Sequence, residues 1–250
     1  MNLKSLICYV VLGILLMGSG IVVSCDSFNE DLPECRLLVK FKYDYNMEFA
    51  DAFHAQVDKV ELYIFDKDGK FMFKQAEEGS ALSTGNYLME VELPVGQYQF
   101  MAWAGARDSY DITPLTPGVS TITDLKLKLK REASLIINKK METLWYGEII
   151  GVNFTGTEHQ TETINLIRDT KIVRFGFQSY TGTWTLDMND YDYEIIESNG
   201  HLGHDNSLQD DDVLSFRPYY MEQKDPATAF VDMNTMLSLI HISEPTRRRG

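Results

Sequence analysis

The chain has 250 residues, with 23 Lys and Arg against 37 Asp and Glu, a formal net charge of −14 at neutral pH. That acidic balance argues against a nucleic-acid partner, because an acidic surface repels phosphates. Cysteines at positions 8, 25 and 35 only are too few for a disulfide scaffold, so stability has to come from apolar burial.

At the N-terminus, Lys4 precedes an almost wholly apolar run from Leu6 to Met17, and Gly18, Ser19 and Gly20 follow. This charged, apolar, small-residue order predicts a secretory signal over residues 1–24. The apolar core is about a dozen residues, whereas a spanning helix needs roughly twenty, and no later segment approaches that length. An ordinary cleavage site wants small residues at the first and third positions before the cut. Val22, Val23, Ser24 and Cys25 fit a bacterial lipobox better, with a branched residue three places before the cysteine and a small one just before it. Cys25 is therefore the expected lipidation site, its thiol carrying diacylglycerol and its freed amine an acyl chain such as palmitate. Two or three chains anchor stably at about 0.8 kcal/mol per buried methylene. A normally cleaved secreted protein is the other reading of the same residues.

A mature chain beginning at Cys25 has 226 residues and a net charge of −15, since residues 1–24 remove Lys4 and no acid. That is enough for two domains of roughly 110 residues. Cys8 leaves with the signal and Cys25 is acylated, so no intrachain disulfide is expected at Cys35. Residues 25–35, acidic and poor in apolar side chains, are expected to be a tether.

From there the hydrophobic period is two rather than 3.6. In "VDKVELYIFDKDGKFMFK", Val60, Leu62 and Ile64 share one face, and Asp68-Gly69 turns the chain so that Phe71 and Phe73 share a face of the return strand. An Asp-Gly pair between alternating runs is a strong hairpin signal. "NYLMEVELPVGQYQFMAWAG" repeats the form, with Met89 and Val91 on one arm, Pro94-Val95-Gly96 as the turn, and Tyr98, Phe100 and Ala102 on the other. In "TDLKLKLK", Leu125, Leu127 and Leu129 alternate with Lys126, Lys128 and Lys130, a half-buried strand whose lysine face discourages edge pairing. The one weak helical period runs from Met47 to Val57.

The second half reads as four or five strands in "LWYGEIIGVNFTG", "ETINLIRDTKIVRFGFQSYTG", "GTWTLDM" and "DYDYEIIES", with a turn at Arg168 to Lys171, and "DVLSFRPYY" and "TAFVDMN" are expected to add two more. Regularly spaced short strands predict antiparallel β-sandwiches. The expected division is an N-terminal sandwich at 36–140 and a C-terminal one at 141–237. "SLIHISEPTRRRG" carries three of the nine arginines in its last four residues and resembles translated sequencing adapter. Residues 238–250 are accordingly set aside as a non-native tail, and the second sandwich is expected to be incomplete.

Catalytic signals are sparse. "NGHLGHDNSLQDDD" gathers His201, His204, Asp205 and Asp210 to Asp212, but all sit on one Asn/Gly/Asp-rich stretch, whereas a zinc site draws three or four ligands from fixed elements. A solvated connector is the favoured reading. The calcium-loop pattern fails from Asp187, with Asp192 where glycine is required and Ser198 where glutamate is. It fails from Asp66 too, with Lys70 at a ligand position. No nucleophile-elbow, zincin or phosphate-loop motif is present, and His54, His159 and Cys35 stand apart from one another. No enzyme activity and no cofactor are expected. Trp103, Trp145 and Trp184 could serve as sugar-stacking platforms, although single tryptophans within alternating strands are more often core residues.

The segments "DLPEC", "LLVKFKYDYN", "VDKVELYIFDKDGKF", "VELPVGQYQFMAWAG", "WYGEI", "INLIRDTKIVRFGF" and "YEIIESNG", with "LSFRPYY" behind them, together resemble the FimB-type fimbrillin-anchoring lipoproteins of Gram-negative anaerobes. The resemblance spans about Cys25 to Met236. It implies an all-β chain of two tandem transthyretin-like sandwiches, anchored in the outer membrane through lipid on Cys25 and displayed at the surface. It also implies strand exchange with a major fimbrial pilin as partner, and a role in attaching a pilus and limiting its length. A surface glycan-binding lipoprotein of a nutrient-uptake system is the alternative.

Overall fold

A computed structural model describes residues 35–157, 159–179 and 186–236. The expected signal segment 1–24, Cys25, the tether up to Glu34, Trp184 and the tail 238–250 lie outside the described residues.

The strands are β1 (Leu37–Lys42), β2 (Lys59–Asp66), β3 (Phe71–Glu78), β4 (Met89–Val91), β5 (Gly96–Ala104), β6 (Tyr110–Ile112), β7 (Leu127–Leu129), β8 (Ile136–Ile137), β9 (Trp145–Phe154), β10 (Gln160–Arg168), β11 (Thr170–Gln178), β12 (Ile195–Glu197), β13 (His201–Leu202), β14 (Leu214–Phe216), β15 (Tyr220–Asp225) and β16 (Thr228–Met236). The weak helical period at 47–57 resolves into one short helix, α1 (Phe53–Gln56). Seven strands form one sheet in the order β3-β2-β5-β9-β10-β1-β4, and three sheets of three strands follow, β11-β16-β15, β12-β14-β8 and β13-β7-β6. All ladders are antiparallel except β1 with β10 and β8 with β14, two parallel pairs that the alternation pattern did not distinguish.

Along β3, β2, β5 and β9 the large sheet is apolar on both faces. Side chains alternate across a strand, so β2 sends Val60, Leu62 and Ile64 into one core with Phe41, Phe100 and Ile164, and Tyr63 and Phe65 into a second core with Trp103 and Tyr146. The two small sheets that cover the second face contribute Leu127, Leu129, Ile137, Leu202, Leu214 and Phe216. Leu125, Leu127 and Leu129 are buried as the Leu-Lys alternation requires, and Lys128 and Lys130 are exposed.

The Asp-Gly turn joins β2 and β3: Gly69 has φ +76, and its N–H donates to the Asp66 carbonyl at 3.0 Å. Phe71 and Phe73, however, do not share a face. Ile64 lies opposite Phe73 and Phe65 opposite Phe71, so Met72 is an extra residue and the bulge reverses the alternation. Phe71 enters the second core and Phe73 packs on the first.

The second expected hairpin is not formed. β4 pairs with β1 at one end of the sheet, while β5 lies between β2 and β9. Met89 and Val91 join Leu37 and Val39 in the first core, and this shared face outweighs the proximity of the two arms in sequence. The turn between them is pinned instead by the Tyr98 hydroxyl, which donates to the Pro94 carbonyl at 2.7 Å.

The expected division between residues 140 and 141 is crossed by hydrogen bonds. β9 pairs with β5 and β10 with β1, so strands on both sides share the large sheet, which runs on to Arg168. One residue, Asp169, separates it from β11, the first strand of a different sheet. In that sheet β16 is central and largely buried, and Ala229, Val231 and Met233 pack with Met188 as a third, small core.

Candidate assembly interface

β11 pairs with β16 along nine residues, from Thr170 opposite Met236 to Gln178 opposite Thr228. Its other side has no strand partner among the described residues. An edge of that length presents a row of backbone donors and acceptors that another strand can complete. The side chains favour such pairing. Ile172 and Phe175 are exposed, the Phe175 and Phe177 rings stack at 6.5 Å, and the row continues to Tyr193 at 5.2 Å from Phe177 and to Tyr191 at 6.5 Å from Tyr193. The charge of Arg174 is already engaged, because its Nε and Nη2 donate to the two Asp232 carboxylate oxygens at 2.6 and 2.7 Å. That fork raises the guanidinium and holds the Asp232 carboxyl below the usual range.

The opposite edge of the same sheet differs. β15 is exposed throughout and carries Glu222, Gln223, Lys224 and Asp225, the charged composition that discourages strand addition. Of the two edges, β11 is the longer and less charged, although Tyr220 and Met221 at the start of β15 are exposed as well. Recognition of this kind takes its affinity from main-chain hydrogen bonds and its specificity from alternate side chains. It requires neither a nucleophile nor a metal.

The acidic stretch after Asn199 is a structured connector. The Asp211 side chain is fully enclosed and accepts from Arg131 Nη1 at 2.5 Å and Nη2 at 3.0 Å. Burial opposes its ionisation, but the guanidinium outweighs burial and the carboxyl is lowered. Asp205 is spent on a local turn, accepting from the Ser207 N–H at 3.1 Å and the Ser207 hydroxyl at 2.5 Å. His201 Nδ1 lies 3.1 Å from the Asp210 carbonyl. Among the described residues no cluster of three or more His, Cys, Asp or Glu is placed to hold a metal ion. The loop's anchor is Asn206, at φ +61, whose Nδ2 donates to Asp169 Oδ1 at 2.9 Å. Cys35 is exposed, and its thiol donates to the Gly156 carbonyl at 2.6 Å.

Neither described tryptophan can stack on a sugar. Trp103 is wholly buried and packs edge-on against Tyr146 at 5.4 Å, and Trp145 is buried against Tyr43 at 6.0 Å. Exposed aromatic side chains lie on the loop after β1, at Tyr45 and Phe49, and on and beside β11, at Phe175 and Tyr191; β11 is legible in sequence as a strand. Its status as an edge depends on long-range pairing with residues 228–236.

A family model described as fimbrillin-A associated anchor proteins Mfa1 and Mfa2 matches residues 32–239. The chain belongs to this family. The minor fimbrium anchoring subunit Mfa2 of Porphyromonas gingivalis is 25% identical over 199 residues, covering 76% of the chain; the chain in turn covers 59% of that protein's length. A crystal structure of a candidate polysaccharide-binding protein from Bacteroides thetaiotaomicron is 93% identical, with a TM-score of 0.79, covering 81% of this chain and 72% of that one. A candidate adhesin from Bacteroides ovatus is 30% identical, with a TM-score of 0.77, covering 87% and 73%. The all-β sandwich architecture is therefore common to this anchor-family member and its neighbours.

Proposed function

We propose that the chain is a non-enzymatic fimbrial anchor, held in the outer membrane by lipid on Cys25 and displayed at the surface. It receives a strand from a pilin subunit along the open edge of β11 and so attaches a fimbrium and limits its length. The observation that carries this reading is the nine-residue open edge, with Ile172 and Phe175 exposed on it, in a member of the anchor family. The lipobox order at Val22 to Cys25 supports the membrane half.

Acylation precedes folding of the sandwiches, so Cys25→Ala should leave the fold intact and abolish membrane retention. Detergent-phase partitioning of both proteins tests this, and equal partitioning would overturn the anchor. The description of the 93% identical neighbour as a candidate polysaccharide-binding protein motivates the second reading, a surface glycan-binding lipoprotein. Burial of Trp103 and Trp145 weighs against it, because the expected platform is not presented.

A further inference from the structure

The loop between β1 and α1 holds two large apolar side chains in solvent: Met47 is 94% exposed and Phe49 92%. Such exposure would be unremarkable on a loose loop, but this one is braced from within. Asn46 Nδ2 donates to the Tyr43 and Ala50 carbonyls, both at 2.8 Å, and Asn46 Oδ1 accepts from the Glu48 N–H at 2.9 Å. Asp51 Oδ1 accepts from the Tyr43 and Phe53 N–H groups at 3.0 and 3.1 Å. Phe49 itself sits at φ +53, a conformation unfavourable for a bulky residue. The backbone is thus fixed in a form that keeps Met47 and Phe49 outward.

Beside this tip lies a cleft of about 660 Å³, lined among others by Tyr45, Met47, Phe49, Ile167, Arg168 and Lys171. Arg168 and Lys171 are half-buried, and neither has a carboxylate within ion-pair distance among the described residues. Burial and the neighbouring Arg168 charge both lower the Lys171 ammonium. Of the acids on the rim, Asp44 is taken by Lys42 at 2.5 Å, and Glu48 is exposed. Two partly desolvated cations with no ion pair among the described residues, the buried Asp169 carboxyl being the opposing charge felt by Lys171, next to a rigid apolar tip, suit a ligand that brings one carboxylate and an adjacent apolar side chain. A lipid surface suits poorly, since the acids at 44, 48 and 51 would face anionic head groups. The cleft also adjoins the start of β11, the proposed strand-accepting edge.

We infer that the 43–49 loop and the Arg168–Lys171 corner form a docking surface for an extended segment of a partner subunit. Its apolar side chain packs on Tyr45, Met47 and Phe49, and its carboxylate meets Arg168 and Lys171. This rests on the strand-accepting reading of β11 and adds a terminal address to it, which fixes where the incoming strand ends. Six residues of β1 at about 3.3 Å each place the loop about 20 Å from Cys35, at the far end of the first strand from the tether.

The test uses full-length protein and fimbriae sheared from cells that carry it. Wild type should bind the immobilised fimbriae. Met47→Ser with Phe49→Ser should weaken binding at least tenfold, with the urea midpoint unchanged because both side chains are already in solvent. Lys171→Glu should weaken binding by a similar factor, and 0.5 M salt should weaken wild type more than Lys171→Gln. Wild-type strength in the double serine variant would overturn this inference and leave the β11 reading standing; no binding by wild type would overturn both. Loss in the double variant of binding to vesicles of anionic phospholipid, with fimbrial binding retained, would assign the tip to the membrane instead.

Discussion

Replacing Asp169 by asparagine should stabilise the fold at pH 8 and change it little at pH 4. Asp169 is the single residue between the large sheet and β11, and it is 2% exposed. Its Oδ1 accepts from Asn206 Nδ2 at 2.9 Å, while Asp169 Oδ2 and Asn206 Oδ1 are both buried without a hydrogen-bond partner among the described residues. Burial pushes the carboxyl up to about 7 from 3.8, against smaller opposing contributions from the Asn206 hydrogen bond and from Lys171. The other groups that feel its charge are the Tyr110 hydroxyl and the Tyr146 hydroxyl, the latter pushed up to about 12, chiefly by burial and then by Asp205.

The folded pKa lies above the unfolded one, so the contribution is favourable at low pH and is lost as pH rises. Below about 4 both states hold the proton. Between about 4 and 7 the unfolded chain releases it and the folded chain does not, which costs about 1.4 kcal/mol per pH unit. Above about 7 the loss levels off at about 4 kcal/mol, a ceiling because the surroundings relax around an ionised carboxylate. Asparagine is neutral throughout, keeps the acceptor for Asn206 Nδ2 and supplies a donor suited to the orphaned Asn206 Oδ1. Urea unfolding of wild type and Asp169→Asn at pH 4.5, 6 and 8 should therefore show a stability difference that grows with pH by several kcal/mol. A difference that is the same at all three values would mean that Asp169 titrates like an exposed carboxyl, and that the joint is more hydrated than its burial indicates.

Three further substitutions probe the frame. Arg131→Ala should destabilise by about 3–5 kcal/mol, because it leaves the enclosed Asp211 carboxylate uncompensated; the pair Arg131→Met with Asp211→Leu should recover most of that in urea unfolding. Gly105→Ala should cost at least 1–3 kcal/mol, since Gly105 has φ +70 and an added Cβ would overlap the Thr143 carbonyl oxygen, and its effect should appear as a lower thermal midpoint. Trp103→Ala should cost about 3–5 kcal/mol through the cavity it leaves beside Tyr146, whereas a loss of glycan binding with unchanged stability would restore the platform reading.

Much of the fold follows from period-two alternation, because burial on one face is recorded locally. Val60, Leu62 and Ile64, the Leu125 to Leu129 row and the Asp68-Gly69 turn all stand where their spacing puts them. Pairing is another matter. Nothing in "NYLMEVELPVGQYQF" reveals that β4 leaves β5 to join β1, or that β10 runs parallel to β1, since those choices are made by cores assembled from distant segments. The Met72 bulge shows the same limit on a smaller scale: one extra residue exchanges the faces of Phe71 and Phe73 without altering the composition that predicted the strand. In the acidic stretch, the residue types suggested ligands, but their use was set by Arg131, about eighty positions earlier in the chain.

The same dependence on distant residues explains why the proposed interface lies where it does. In the large sheet most apolar side chains are answered within the described chain, on one face by the first core and, along β3, β2, β5 and β9, on the other by two small sheets. Among the described strands, β3 also has a long open ladder, but β11 adds to one the exposed Ile172 and Phe175 and an aromatic row leading back to the third core. Its partner β16 is the more buried strand, so the ladder is held from one side by an element that cannot readily move. An incoming strand would then add backbone hydrogen bonds to a template already ordered, and ordering entropy would fall mainly on the donor. On the proposed reading the more charged β15 edge would direct that addition to β11, and the Met47–Phe49 tip with Arg168 and Lys171 would give it a place to stop.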